Sequence, residues 1–110
     1  MHFFYRAYTF TSPLLLPQIR DTLNKLGPWE WIDRDNDDLG EYLSAHIPED
    51  SWLKLYVRGT GAYQLDIKFR PEMEKAVAEK AFDVLHERVK TVLLPGLKAT
   101  QIEPTPPVDR

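Results

Sequence analysis

Apolar and polar residues alternate through residues 51–70, and this alternation predicts a β-hairpin whose register can be derived. Leu53, Leu55 and Val57 alternate with Trp52, Lys54, Tyr56 and Arg58. Past Gly59-Thr60-Gly61, Tyr63, Leu65, Ile67 and Phe69 alternate with Gln64, Asp66, Lys68 and Arg70. Both halves have the period of a half-buried strand. Pairing Arg58 with Ala62 sets Val57 opposite Tyr63, Leu55 opposite Leu65 and Leu53 opposite Ile67. The same register puts Lys54 opposite Asp66, an opposite-charge pair. A slip of one residue would set apolar side chains against polar ones, so the register is well specified.

Other segments carry weaker patterns. Phe3 to Phe10 is aromatic and extended in character, which predicts a strand. Thr11-Ser12-Pro13 reads as a helix start, with a hydroxyl cap and Pro in the first turn. Leu16, Ile19, Leu23 and Leu26 then form one apolar stripe. Pro17 sits awkwardly inside a helix begun at Pro13, so a main helix starting at Pro17 is the alternative. Gly27-Pro28 stops it. Trp29 to Ile32 predicts a second strand.

Residues 39–47 satisfy two patterns. Leu39, Tyr42, Leu43 and His46 fit a helical face, with Asp38 and Glu41 as a capping box. Leu43, Ala45 and Ile47 fit a strand equally well. Pro71-Glu72 opens the clearest helix, with Met73, Val77, Ala81, Val84, Leu85 and Val92 as its apolar stripe. Pro95-Gly96 ends it, Leu97 to Ile102 predicts a last strand, and the Pro-rich residues 104–110 read as a disordered tail.

This order predicts an α+β fold. The expected form is a ferredoxin-like two-layer sandwich: a mostly antiparallel sheet, two helices on one face, and an acidic segment inserted after the second strand. Residues 1–103 form the single domain. A chain of 110 residues, 43% hydrophobic and 28% charged, has the composition of one ordinary globular domain with its own core. The absence of Cys excludes disulfides, thiolate zinc sites and a cysteine nucleophile. No apolar run approaches the ~20 residues of a membrane helix, and no signal peptide is visible at the N-terminus. A cytoplasmic protein is expected.

Charge sharpens the picture. Residues 33–50 hold Asp33, Asp35, Asp37, Asp38, Glu41, Glu49 and Asp50 against Arg34 alone, a net −6. The whole chain carries −3, so the remainder carries +3. Asp33, Asp35 and Asp37 match the first half of an EF-hand loop, but Asp38 stands where that loop needs Gly and Ser44 where it needs Glu. No metal site is expected. His2, His46 and His86 are scattered without ligand spacing, and His86 is expected on the exposed side of its helix. Neither a phosphate-binding loop nor a nucleophile–base pair is visible, so no enzyme, catalytic residue or cofactor is expected.

Two surfaces compete for function. The acidic segment can dock into a basic partner site, its carboxylates occupying a place shaped for phosphates. Its expected contact residues are Asp33, Asp35, Asp37, Asp38, Glu41 and Asp50, with Trp29, Trp31 and Tyr42 as aromatic anchors. The predicted function is therefore a non-catalytic protein-binding domain, an inhibitor or immunity-type protein that neutralises a toxin or nuclease-like enzyme with a basic surface. The alternative surface is the open sheet face with Trp52, Tyr56, Arg58, Lys68 and Arg70, of the kind that stacks single-stranded nucleic acid. The −6 segment argues against nucleic acid as the ligand. A homodimer packing its open sheet faces, or a domain binding a metal or small ligand, completes the set of expectations.

Overall fold

A computed structural model describes residues 3–38, 40–47 and 51–105. Strand β1 (Phe4–Thr11) leads to helix α1 (Leu16–Leu26). Four consecutive strands follow: β2 (Trp31–Asn36), β3 (Gly40–Ile47), β4 (Ser51–Gly59) and β5 (Ala62–Phe69). Helix α2 (Lys75–Arg88) runs through a π-helical segment (Val89–Leu93) into a final turn (Leu94–Gly96), and β6 (Thr100–Pro104) ends the described chain apart from Thr105. The fold is α+β. The six strands form one sheet in the order β2-β3-β4-β5-β1-β6, with antiparallel neighbours throughout.

The β4–β5 register matches expectation at Val57–Tyr63, Leu55–Leu65, Lys54–Asp66 and Leu53–Ile67. It differs at the turn: Gly59, not Arg58, pairs with Ala62, so Arg58 is the extra residue of a bulge. Gly61 supplies the positive φ (72°) that the turn requires. Residues 40–47 are strand rather than helix. Flanked by two partner strands, Leu43, Ala45 and Ile47 bury on one face, and the contacts of a whole sheet outweigh a local capping box.

Residues of one strand parity form the core. Phe10, Leu43, Ala45, Leu53, Leu55, Leu65 and Ile67 join Ile19 and Leu23 of α1 and Phe82 and Leu85 of α2 in one cluster, so both helices cover the same sheet face. Helix α1 begins at Leu16 with Pro17 in its first turn, the later of the two starts. Ser12 is therefore no helix cap. Its Oγ donates to Leu97 O at 2.7 Å and accepts from Leu14 N at 3.1 Å, pinning the β1–α1 connection to the far end of the chain.

Helix α2 departs furthest from its predicted stripe. Ala78, Phe82 and Leu85 are buried, followed by Val89, whereas Met73, Val77 and Val84 are exposed, Val84 by 71%. Phe82 sets this rotation: it stacks on Phe4 at 5.2 Å and meets Phe69 at 6.0 Å. The end of α1 is fastened to the end of α2 and packs against the final turn. Arg88 Nη2 donates to the carbonyls of Leu26 (3.1 Å) and Gly27 (3.0 Å). Any Cβ at Gly96 would lie 2.7 Å from Leu26 Cδ1. Pro104 and Thr105, expected in the C-terminal tail, are held against β1: Pro104 pairs with Tyr8 and Thr105 N donates to Ala7 O at 2.9 Å, while residues 106–110 lie outside the described residues.

Candidate functional site

Most of the acidic segment is strand and turn. Asp33 and Asp35 lie on β2, Glu41 on β3, and Asp37 and Asp38 in the connection. Strand β2 is the outermost strand, paired with β3 over all six of its residues. Trp31 pairs with Ala45, Asp33 with Leu43 and Asp35 with Glu41. These three pairs face the helical layer. Trp31, Leu43 and Ala45 are buried beneath it, whereas Asp33, Asp35 and Glu41 are exposed towards the turn.

One side-chain contact fixes the direction of the β2 backbone. Asn24 Oδ1 accepts from Trp31 N at 2.6 Å, and Asn24 Nδ2 donates to Trp31 O at 3.2 Å. The amide and carbonyl of Trp31 therefore point off the sheet edge. Backbone polarity alternates along a strand, so those of Asp33 and Asp35 point outward too. Asp35–Glu41 is consequently a non-hydrogen-bonded pair, the kind in which opposed side chains approach most closely. Two like charges thus face each other across β2 and β3, an unfavourable arrangement. Asp33 is compensated: Arg20 Nη1 of α1 lies 2.6 Å from its Oδ2, which strengthens the guanidinium's hold on its proton. Among the described residues no three His, Asp or Glu side chains converge to hold a metal ion.

The predicted aromatic anchors separate. Trp31 is 2% exposed and belongs to the core, so it offers no surface to a partner. Area burial decides this: its position on the helix-facing parity of β2 puts the large ring beneath α1. Trp29 is partly buried against the core, with the Arg88 guanidinium 5.8 Å from its ring centroid. Tyr42 lies on the opposite sheet face from the Asp35–Glu41 pair, against Tyr56 at 5.2 Å. Asp50 lies outside the described residues.

The sheet face away from the helices carries the second predicted set. Lys68, Trp52 and His46 form one cross-strand row; Asp66, Lys54, Ser44 and Ile32 form the next; Gln64, Tyr56, Tyr42 and Arg34 form a third. Arg58 Nη1 donates to Gln64 Oε1 and Gln64 Nε2 to Asp66 Oδ1, both at 2.7 Å. Lys54, though opposite Asp66, has its Nζ 5.8 Å from the Trp52 ring centroid. Arg70 lies beyond the end of β5, its backbone N donating to Ser51 Oγ at 2.8 Å. Arg34, Ser44 and Lys54, with Asp35, Tyr42 and Trp52, line a pocket of ≈ 250 Å³. Arg34 Nε donates to the buried Ser44 Oγ at 3.3 Å. Arg34 and Ser44 were not among the predicted residues; strand parity identifies them once β2 is extended to residue 36.

His86 is not the exposed residue its surroundings in sequence suggest. It stacks between Tyr8 and Phe82, and its Nε2 shares a short hydrogen bond with the Tyr8 hydroxyl. Burial, helped by Lys90 and Arg6, pushes its pKa below the ordinary 6.5, while burial pushes Tyr8 upward. No helix among the described residues is long and apolar enough to cross a membrane. Compared with known proteins, the chain matches no family model and no curated protein.

Proposed function

We propose that this chain is a non-catalytic protein-binding domain that docks the carboxylates of its β2–β3 hairpin into a basic site of a partner enzyme, as an inhibitor or immunity-type protein. The carrying observation is the Asp35–Glu41 pair: like charges set opposite each other on an exposed outer hairpin, next to exposed Asp37 and Asp38. A fold gains nothing from this arrangement by itself, whereas a cationic partner turns each carboxylate into an attraction. A partner shaped for phosphates, such as a nuclease-like enzyme, offers the matching field. On this reading β4-β5-β1-β6 with α1 and α2 make a ferredoxin-like unit, and the acidic β2–β3 hairpin is the addition that carries function.

The test compares the wild type with a variant in which Asp35, Asp37 and Asp38 are all changed to Asn. Each is used to recover partners from native lysate with nuclease present, and the recovered enzyme is assayed with and without added protein. The expected result is a partner held and inhibited by the wild type and released by the variant, whose Tm is no lower than the wild type's and rises slightly because the Asp35–Glu41 repulsion is gone. Equal capture and inhibition by the variant would refute the reading.

A second reading rests on the Arg34–Ser44–Lys54 pocket between Tyr42 and Trp52, which sets two cations, a hydroxyl and aromatic walls beside one acid, Asp35. It predicts salt-sensitive binding of a nucleic-acid phosphate, lost on changing Lys54 or Trp52.

A further inference from the structure

We infer that the partner adds a strand to the outer edge of β2, pairing its backbone with Asp33 and Asp35. This rests on the protein-docking reading above and specifies how the docking is made.

The edge is already partly used in this way. The Asn24 side-chain amide makes with Trp31 both hydrogen bonds that a neighbouring strand would make, filling the first outward position. The next two positions along the same edge are those of Asp33 and Asp35. Among the described residues no group bonds their outward amides and carbonyls. Strand β2 holds regular register over all six residues, so these groups stand at strand spacing. The opposite edge of the sheet is blunted. Strand β6 has a register break opposite Thr9–Thr11 and ends in Pro104, which has no amide to donate.

The side chains flanking the edge name the occupant. On one side lie Asp35 and Glu41, with Asp33 already matched by Arg20. On the other lie Ile32, 39% exposed, and Arg34. An added strand alternates its side chains between these two sides. It should therefore present Lys or Arg towards Asp35 and Glu41, and apolar residues towards Ile32. A second copy of this chain does not fit. Pairing β2 with β2 antiparallel would bring the Asp33 and Asp35 carboxylates of both copies onto one face, where they repel. The occupant is an extended segment of the partner with alternating basic and apolar residues. Charged residues on an edge ordinarily guard against pairing; here they reject acidic and neutral strands and admit a basic one.

The probe is an acetylated, amidated peptide of seven alternating Lys and Val residues, with a same-composition peptide in blocks (four Lys, then three Val) as control. Binding is followed by amide NMR shifts and hydrogen exchange, with Asp35→Asn and Asp35→Pro variants alongside. Both variants remove the charge, and only Pro removes the outward N–H. Among the described residues nothing bonds that N–H, so the edge can accept Pro. The expected result is tighter binding of the alternating peptide than of the block control, and slowed exchange at Asp33 and Asp35. Asp35→Pro should also bind roughly three- to tenfold more weakly than Asp35→Asn, the worth of one hydrogen bond. Equal affinity of the two variants, or unchanged exchange at Asp33 and Asp35 in the peptide-bound wild type, would overturn strand addition. In that case charge-driven docking would stand if Asp35→Asn still weakened binding, and fall with it if it did not.

Discussion

Replacing Glu41 by Lys should make the protein more stable. Asp35 and Glu41 are register partners on β2 and β3, and the outward backbone at Trp31 makes theirs a non-hydrogen-bonded pair. Carboxylates about 6 Å apart repel by roughly 0.7 kcal/mol in water before salt is considered. Lys at position 41 removes that repulsion and supplies a similar attraction. At physiological ionic strength, with a Debye length near 8 Å, screening cuts the total by about half, to roughly 0.7 kcal/mol. For 110 residues the unfolding entropy near the midpoint is about 0.23 kcal/mol/K, so Tm should rise by about 3 °C. Glu41→Gln should give about half of this, since it only removes the repulsion. In 1 M NaCl both gains should shrink to under about 1 °C. The assay is calorimetric Tm at low and high salt, with capture of the partner measured in parallel, where Glu41→Lys should weaken binding. A lower or unchanged Tm at low salt would refute the reasoning, and so would a gain that survives high salt.

Two further predictions test the core and the half-buried histidine. Trp31→Ala should cost about 3–5 kcal/mol, because Trp31 is fully buried beneath α1; denaturant unfolding that shows no loss would return Trp31 to the surface. His86 has a lower pKa folded than unfolded, chiefly through burial. The unfolded chain therefore binds the proton more readily. The stability this residue contributes is complete above its unfolded pKa near 6.5 and is lost as pH falls through its lower folded value. Tm should drop between pH 7 and 5 more steeply for the wild type than for His86→Phe, and identical pH profiles would contradict its half-buried placement against Tyr8 and Phe82.

Period-2 alternation determined the 51–70 hairpin down to three apolar pairs and the Lys54–Asp66 pairing, because one face of that ribbon must be buried and a slip would invert it. The bulge at Arg58 was beyond such reasoning, since a turn of positive φ and its neighbouring strand geometry are settled together. The α1 stripe was legible for the same reason as the hairpin: Ile19 and Leu23 have one apolar side to hide. Helix α2 was legible as a helix and not in its rotation. Its sequence carries apolar residues around much of the helix, and the aromatic pocket of Phe4 and Phe69 selected Phe82 over Val77 and Val84.

The acidic segment shows the same division. Its charge was written in the residues. That Asp35 faces Glu41, that Arg20 answers Asp33, and that Asn24 occupies the first position on the strand edge followed only from tertiary structure. Residues 39–47 carried helix and strand patterns at once, and two neighbouring strands decided between them. Local pattern determines which faces of the chain seek burial; which partners those faces find, and which charges are then left opposed at the edge, depends on contacts between residues distant in sequence.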